Sequence, residues 1–178
     1  MKTIKLVMLL CVIGLTYTSC KTDDDGGDGG NAAAGTVAAT VNGESFTSSD
    51  IATMATQITA QGITTLNIVG SALSAGSART ITLTIVGVDG EGTYPIQVST
   101  DSGIIPATAT YIEASGNTGG GGIDGSWLAP FDESLAGEIN ISEITDTTVR
   151  GTFSYRARSQ DDESNFVEIT NGSFNLDL

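Results

Sequence analysis

From Thr36 onward, apolar and polar positions alternate in short runs, as they do in strands whose successive side chains face opposite ways. Ile81-Thr82-Leu83-Thr84-Ile85 sets aliphatic residues against threonines, and Leu66 and Ile68 flank Asn67 in the same way. Tyr94, Ile96 and Val98 share one face with Pro95 opposite, which suits an edge or the start of a strand. Ile139 and Ile141 alternate with Asn140 and Ser142. Val149, Phe153 and Tyr155 line one face of the next run, with Arg150, Thr152, Ser154 and Arg156 on the other. The last run places Phe174, Leu176 and Leu178 inward and Ser173, Asn175 and Asp177 outward.

Turn signals separate these runs: Asp89-Gly90-Glu91-Gly92, Thr145-Asp146-Thr147 and Asn171-Gly172. The spacing predicts an all-β domain of roughly eight strands, a single antiparallel β-sandwich or a small up-and-down β-barrel. The stretch 48–61 is ambiguous. Ile51, Met54, Ala55 and Ile58 recur at helical spacing, with Ser48 or Ser49 as a cap and Gly62 as a stop, yet Ala52, Met54, Thr56 and Ile58 also alternate.

The first 19 residues follow a different pattern. Lys2 and Lys5 give a basic start, and Leu6 to Leu15 are apolar apart from Gly14. Such a run is shorter than the roughly 20 residues that span a bilayer as a helix, so a cleaved secretory signal is expected. Ser19-Cys20 then resembles a bacterial lipoprotein box, with Tyr17 departing from the leucine usual three residues before the cysteine. The resemblance implies a lipidated Cys20 with three acyl chains, more than the two signals that stable membrane attachment requires. Residues 20–35 read as a tether without an apolar core of its own, acidic and glycine-rich, with a reach of roughly 20–25 Å. Residues 36–178 form the expected β-domain.

Processing changes the chemistry that is available. Of the two cysteines, Cys11 leaves with the signal and Cys20 takes the lipid, and there is no histidine. The mature chain keeps five basic residues against 21 acidic ones, a net charge of −16. A surface this acidic repels nucleic acid, so no nucleic-acid partner is expected. Without histidine or a free thiol there is no partner for a serine nucleophile except Lys21 beside the anchor, and zinc and copper lack their usual ligands. The expectation is no enzyme, no metal and no cofactor. The remote alternative is a hydrolase using two carboxylates held across a cleft.

Lys21 followed by Asp23, Asp24 and Asp25 resembles the surface-export signal of Bacteroidetes-type lipoproteins, with the acidic run starting slightly late. That likeness implies an outer-membrane protein facing the cell exterior, the alternative being the periplasmic face. Further landmarks are Val41-Asn42-Gly43 with Phe46, Leu66-Asn67-Ile68-Val69-Gly70, Gly92-Thr93-Tyr94, Gly137-Glu138-Ile139-Asn140-Ile141, Val149-Arg150-Gly151-Thr152-Phe153-Ser154-Tyr155 and Ile169-Thr170-Asn171-Gly172-Ser173-Phe174. Together they resemble a family of Bacteroidetes-type lipoproteins known only as a domain of unknown function. The resemblance implies an envelope β-domain, favours strand for Phe46 to Ala60, and brings no catalytic residue with it.

Four candidates for chemistry remain. Gly119 to Gly122 and then Ile123 to Phe131 read as a loop, where Trp127 and Phe131 would form a ligand platform if exposed, or else pack into the core. Arg150, Arg156 and Arg158 fall on one strand face, as an anion-binding stripe or, the plainer reading, as partners of carboxylates such as Glu168. Asp161-Asp162-Glu163 lacks the spacing of a calcium loop and reads as a solvated turn. Asp146-Thr147-Thr148 resembles the short O-glycosylation site of Bacteroidetes-type exported proteins. The overall expectation is a lipid-anchored binding domain with a glycan or protein partner. Its alternative is a structural component of the envelope facing the periplasm.

Overall fold

The computed structural model describes residues 32–98, 105–117 and 120–178. Among them the fold is all-β and antiparallel, as expected, with eleven strands where roughly eight were predicted. They are β1 (Thr36–Val41), β2 (Glu44–Thr47), β3 (Thr53–Ala60), β4 (Ile63–Ser74), β5 (Ser77–Val86), β6 (Gly92–Ile96), β7 (Ala107–Asn117), β8 (Gly120–Ala129), β9 (Gly137–Ile144), β10 (Thr148–Ser159) and β11 (Phe166–Asp177). The extra strands are ones with weak alternation, above all the short β2 and the glycine-rich β8.

Pairing runs β2-β1-β11-β10-β8-β7-β5-β4-β3, and β9 and then β6 branch from β10. The branch arises because β10 is long and divides its pairing. Val149 to Tyr155 bond with β9, while Arg158 and Ser159 bond with Leu128 and Trp127 of β8. The single sheet therefore has two arms that meet at β10, β2-β1-β11-β10-β9-β6 and β8-β7-β5-β4-β3. Among the described residues the sheet is open, because β2 and β3 at its ends each pair on one side only.

Both arms direct aliphatic and aromatic residues into one core. Val37, Phe46, Ile139, Val149, Phe153, Ile169 and Phe174 come from the first arm, and Leu66, Ile68, Ile81, Leu83, Ile85 and Tyr111 from the second. Each aliphatic or phenylalanine side chain removed from water this way contributes roughly 1.5–3 kcal/mol. Close approach of β4 to β1 depends on Gly70 in β4, where an added Cβ would stand 2.7 Å from the Val37 Cβ. Polar groups inside are paired. Ser48 Oγ accepts the Val37 N–H at 2.8 Å and the Thr53 hydroxyl at 2.7 Å, and Tyr155 donates to the Thr110 carbonyl at 3.1 Å. Among the described residues no buried side-chain nitrogen or oxygen lacks a partner.

The ambiguous stretch is resolved as a 3₁₀ turn at Asp50–Ala52 followed by β3, in register with β4 from Thr53 opposite Gly70 to Ala60 opposite Ile63. Helical spacing misled because Ile51, Met54 and Ile58, its apolar stripe, are 87%, 58% and 62% exposed. Residues 119–131 are corrected from loop to strand over Gly120–Ala129. Their glycines hide the alternation, and one of them has a packing role: a Cβ on Gly125 would collide with the Trp127 ring. Asn171-Gly172 does not turn the chain. It lies within β11, where Asn171 takes a φ of 51° and the register with β10 shifts, so a turn-forming dipeptide makes a bulge. The bulge breaks alternation, and Ser173, expected outward, is buried between Ala38 of β1 and Thr152 of β10.

Candidate functional site

The outward face of β10 and β11 carries the strongest grouping of side chains with binding chemistry. Odd-numbered residues of β10 from Val149 to Ser159 are buried, so period two sends Arg150, Arg156 and Arg158 outward together. Cross-strand register then places Glu168 opposite Arg156 and Phe166 opposite Arg158. The segment after β8 brings Phe131 over the same spot. Its ring meets Phe166 edge-on, with centroids 5.5 Å apart and planes at 64°.

The three arginines have different partners. Arg150 reaches Glu143 of β9 at 3.4 Å and donates to Asn175 Oδ1 at 3.0 Å, so its charge is paired across strands as the plainer reading expected. Arg156 lies over the Phe166 ring, 3.9 Å from its centroid, and Arg158 lies 5.4 Å from that of Phe131. Among the described residues neither Arg156 nor Arg158 has a carboxylate within 4.0 Å, Glu168 included. A guanidinium lying against a ring keeps its N–H edge available, and its planar fork matches carboxylate, sulfate or phosphate.

The rim of this grouping is fixed by the segment between β8 and β9. Asp132 accepts both the N–H and the hydroxyl of Ser134. The Ser134 hydroxyl, then its N–H, hold the Asp132 carboxyl below the usual aspartate range, and Arg158 adds a smaller pull in the same direction. The Arg156 backbone N–H donates to the Ala136 carbonyl at 2.9 Å. Beside Arg156 is a surface hollow of about 200 Å³, lined among others by Ala136, Gly137, Ser154, Glu168 and Thr170.

Trp127 and Phe131, paired in the sequence reading, stack on different rings. Trp127 lies on β8 opposite Tyr111, their rings 5.6 Å apart and tilted, and it packs against the core over Gly125. Burial, aided by a hydrogen bond to Glu113, pushes the Tyr111 hydroxyl above its ordinary range. Phe131 instead joins Phe166, a residue the sequence reading passed over. The signal for Phe166 was its strand parity with Glu168, visible once the β10–β11 register is known.

Two acids line a second hollow of about 380 Å³, together with Gln57, Thr64, Val88 and Ile144. Asp89 there accepts from the Tyr94 hydroxyl at 3.1 Å, and Asp146 lies in the β9–β10 turn. Burial is the first cause that raises the Tyr94 hydroxyl above its ordinary range. Both acids are exposed, whereas the acid partner in carboxylate hydrolysis needs a desolvated setting. Thr147 in the same turn is exposed. Asp161, Asp162 and Glu163 are exposed between β10 and β11, and Asp162 caps Ser164 through its N–H and hydroxyl, at 2.9 and 2.7 Å. Cys20, Lys21, Asp23, Asp24 and Asp25 lie outside the described residues.

No curated protein and no solved structure matches the chain. A family model does, over residues 33–176, from just before β1 to the end of β11. The chain belongs to that family, described as a domain of unknown function (DUF6252).

Proposed function

We propose that this protein is a lipid-anchored lipoprotein of the outer membrane whose β-domain, displayed at the cell surface, binds an anionic ligand and performs no catalysis. The observation that carries the binding reading is the pair Arg156 and Arg158, laid on Phe166 and Phe131 with no carboxylate within 4.0 Å among the described residues. In a chain with 21 acids and seven bases, leaving two adjacent cations without such a partner is unexpected unless something else is to pair with them. An acidic glycan fits: its carboxylate or sulfate meets the guanidinium edges, and its sugar faces meet the phenyl rings. The two arms, which share one core, are read as a flattened sandwich filled by side chains, which directs binding to this outer face.

The anchor reading rests on Cys20 and the Lys21-to-Asp25 run, and the absence of catalysis on a mature chain without histidine or a free thiol. Thr147, exposed in its turn, is the place for O-glycosylation. Proteinase treatment of intact cells, with Cys20→Ala as the unanchored control, tests location. Loss of the wild-type domain without lysis supports surface display, and protection until the outer membrane is opened points to a structural component facing the periplasm. An array of acidic and neutral glycans tests binding. Retention on acidic members that disappears in Arg156→Ala/Arg158→Ala supports the reading. Equal binding by that variant, or no binding by either protein, overturns it.

A further inference from the structure

Among the described residues three strands, β2, β3 and β6, pair on one side only. Natural sheets blunt such edges with short strands, charges or prolines, because a free row of N–H and C=O groups templates another strand. β2 has four residues and carries Glu44, and β6 has five and contains Pro95. β3 is different. It runs for eight residues with neither charge nor proline, and its Met54 and Ile58 are exposed on one face.

Two properties of the sequence identify what would cover this edge. First, no charged residue occurs from Ile51 to Ala78, although the chain carries a net charge of −14. Self-repulsion between two acidic copies is therefore weakest along β3 and β4. Second, Ala52 to Ala60 reads nearly alike in both directions about Thr56. Ala52 matches Ala60, Thr53 matches Thr59, and Met54 matches Ile58, leaving only Ala55 against Gln57. In a two-fold interface residue i meets j and j meets i, so a self-complementary strand is what a strand paired with its own copy requires.

We propose that two copies of this chain associate edge to edge through β3, antiparallel about Thr56, so that their sheets continue into one. Each Met54 then faces the second copy's Ile58 across the strands, and the two Thr56 residues face each other. The free backbone groups supply the hydrogen bonds of a new ladder. An eight-residue edge buries less than the roughly 1,200 Å² of standard interfaces, so association is reversible and depends on concentration.

Cysteine pairing in the full chain tests this, in a Cys11→Ser/Cys20→Ser background where the introduced thiol is the only one. Opposed Thr56 residues have Cα atoms about 4.5–5.5 Å apart, within disulfide reach. Under mild oxidation Thr56→Cys should form a disulfide dimer at least tenfold faster than Thr65→Cys, which lies one strand inward in β4. Sedimentation of the same background chain should show a mass rising toward twice the monomer with concentration. Met54→Lys/Ile58→Lys should abolish the rise while leaving the β circular dichroism unchanged. Cross-linking of Thr65→Cys as fast as Thr56→Cys would overturn the proposal. So would a monomer at every concentration, or a dimer that survives the folded double-lysine variant.

Discussion

The two arms of this sheet face inward alike and outward in opposite ways. Inside, β10 contributes Val149, Phe153 and Tyr155 while β5 contributes Ile81, Leu83 and Ile85, and all six are buried. Outside, β10 shows Arg150, Thr152, Ser154, Arg156 and Arg158, whereas the corresponding positions of β5 are Thr80, Thr82 and Thr84. β4 continues that neutral face with Asn67, whose side chain donates to Thr84 Oγ1 at 3.0 Å, and with Ser71, hydrogen-bonded to Thr80 at 2.9 Å. Folding demands only the inward pattern. The proposed reading accounts for the difference outside: an anionic ligand would meet one surface, and water or a second copy of the chain the other.

Truncating the shared interior should be the most damaging change and should not distinguish the arms. Leu83→Ala is expected to cost about 2–5 kcal/mol and Phe174→Ala about 3–5 kcal/mol, read as lowered urea midpoints at constant slope. Gly70→Ala inserts a methyl between β4 and β1 where Val37 already stands, and should cost about 1–3 kcal/mol in the same measurement.

The outward face should separate stability from binding. Arg156→Ala and Arg158→Ala each lose a ring contact worth about 0.5–1 kcal/mol, so both should stay folded while anion binding disappears. Arg150→Ala, which breaks the exposed pair with Glu143, should cost at most about 1 kcal/mol, less in high salt, and should leave binding intact.

The smallest effect concerns acid. Asp132 and Asp162 have their carboxyls held below the ordinary value by Ser134 and Ser164, so the capped turns are intact above the unfolded aspartate range. Protonation releases the caps only as pH falls through the lowered folded values. Amide shifts of Ser134 and Ser164 should therefore titrate below about pH 3.9, the ordinary aspartate midpoint. Midpoints at or above it would contradict the caps.

Strands whose two faces contrast were legible from the sequence: β4, β5, β9 and β10 each place aliphatics against polar residues. β8 was not, because glycines carry no side chain with which to mark a face, and β3 was not, because its exposed apolar residues fit two periods. The arginine stripe followed from period two alone. Its aromatic lids did not, since Phe131 and Phe166 come together only through the β10–β11 register and the segment after β8. Asn171-Gly172 was read by its usual role and serves as a bulge, a choice made by tertiary pairing.

The contrast between the two outward faces is tested most directly by NMR of arginine Nε–H groups during titration with a sulfated disaccharide. The Arg156 and Arg158 signals should shift together and saturate, while those of Arg79 and Arg150, already paired with Glu44 and Glu143, stay in place. Uniform shifts at all four arginines, or none at Arg156 and Arg158, would contradict a binding function for this face.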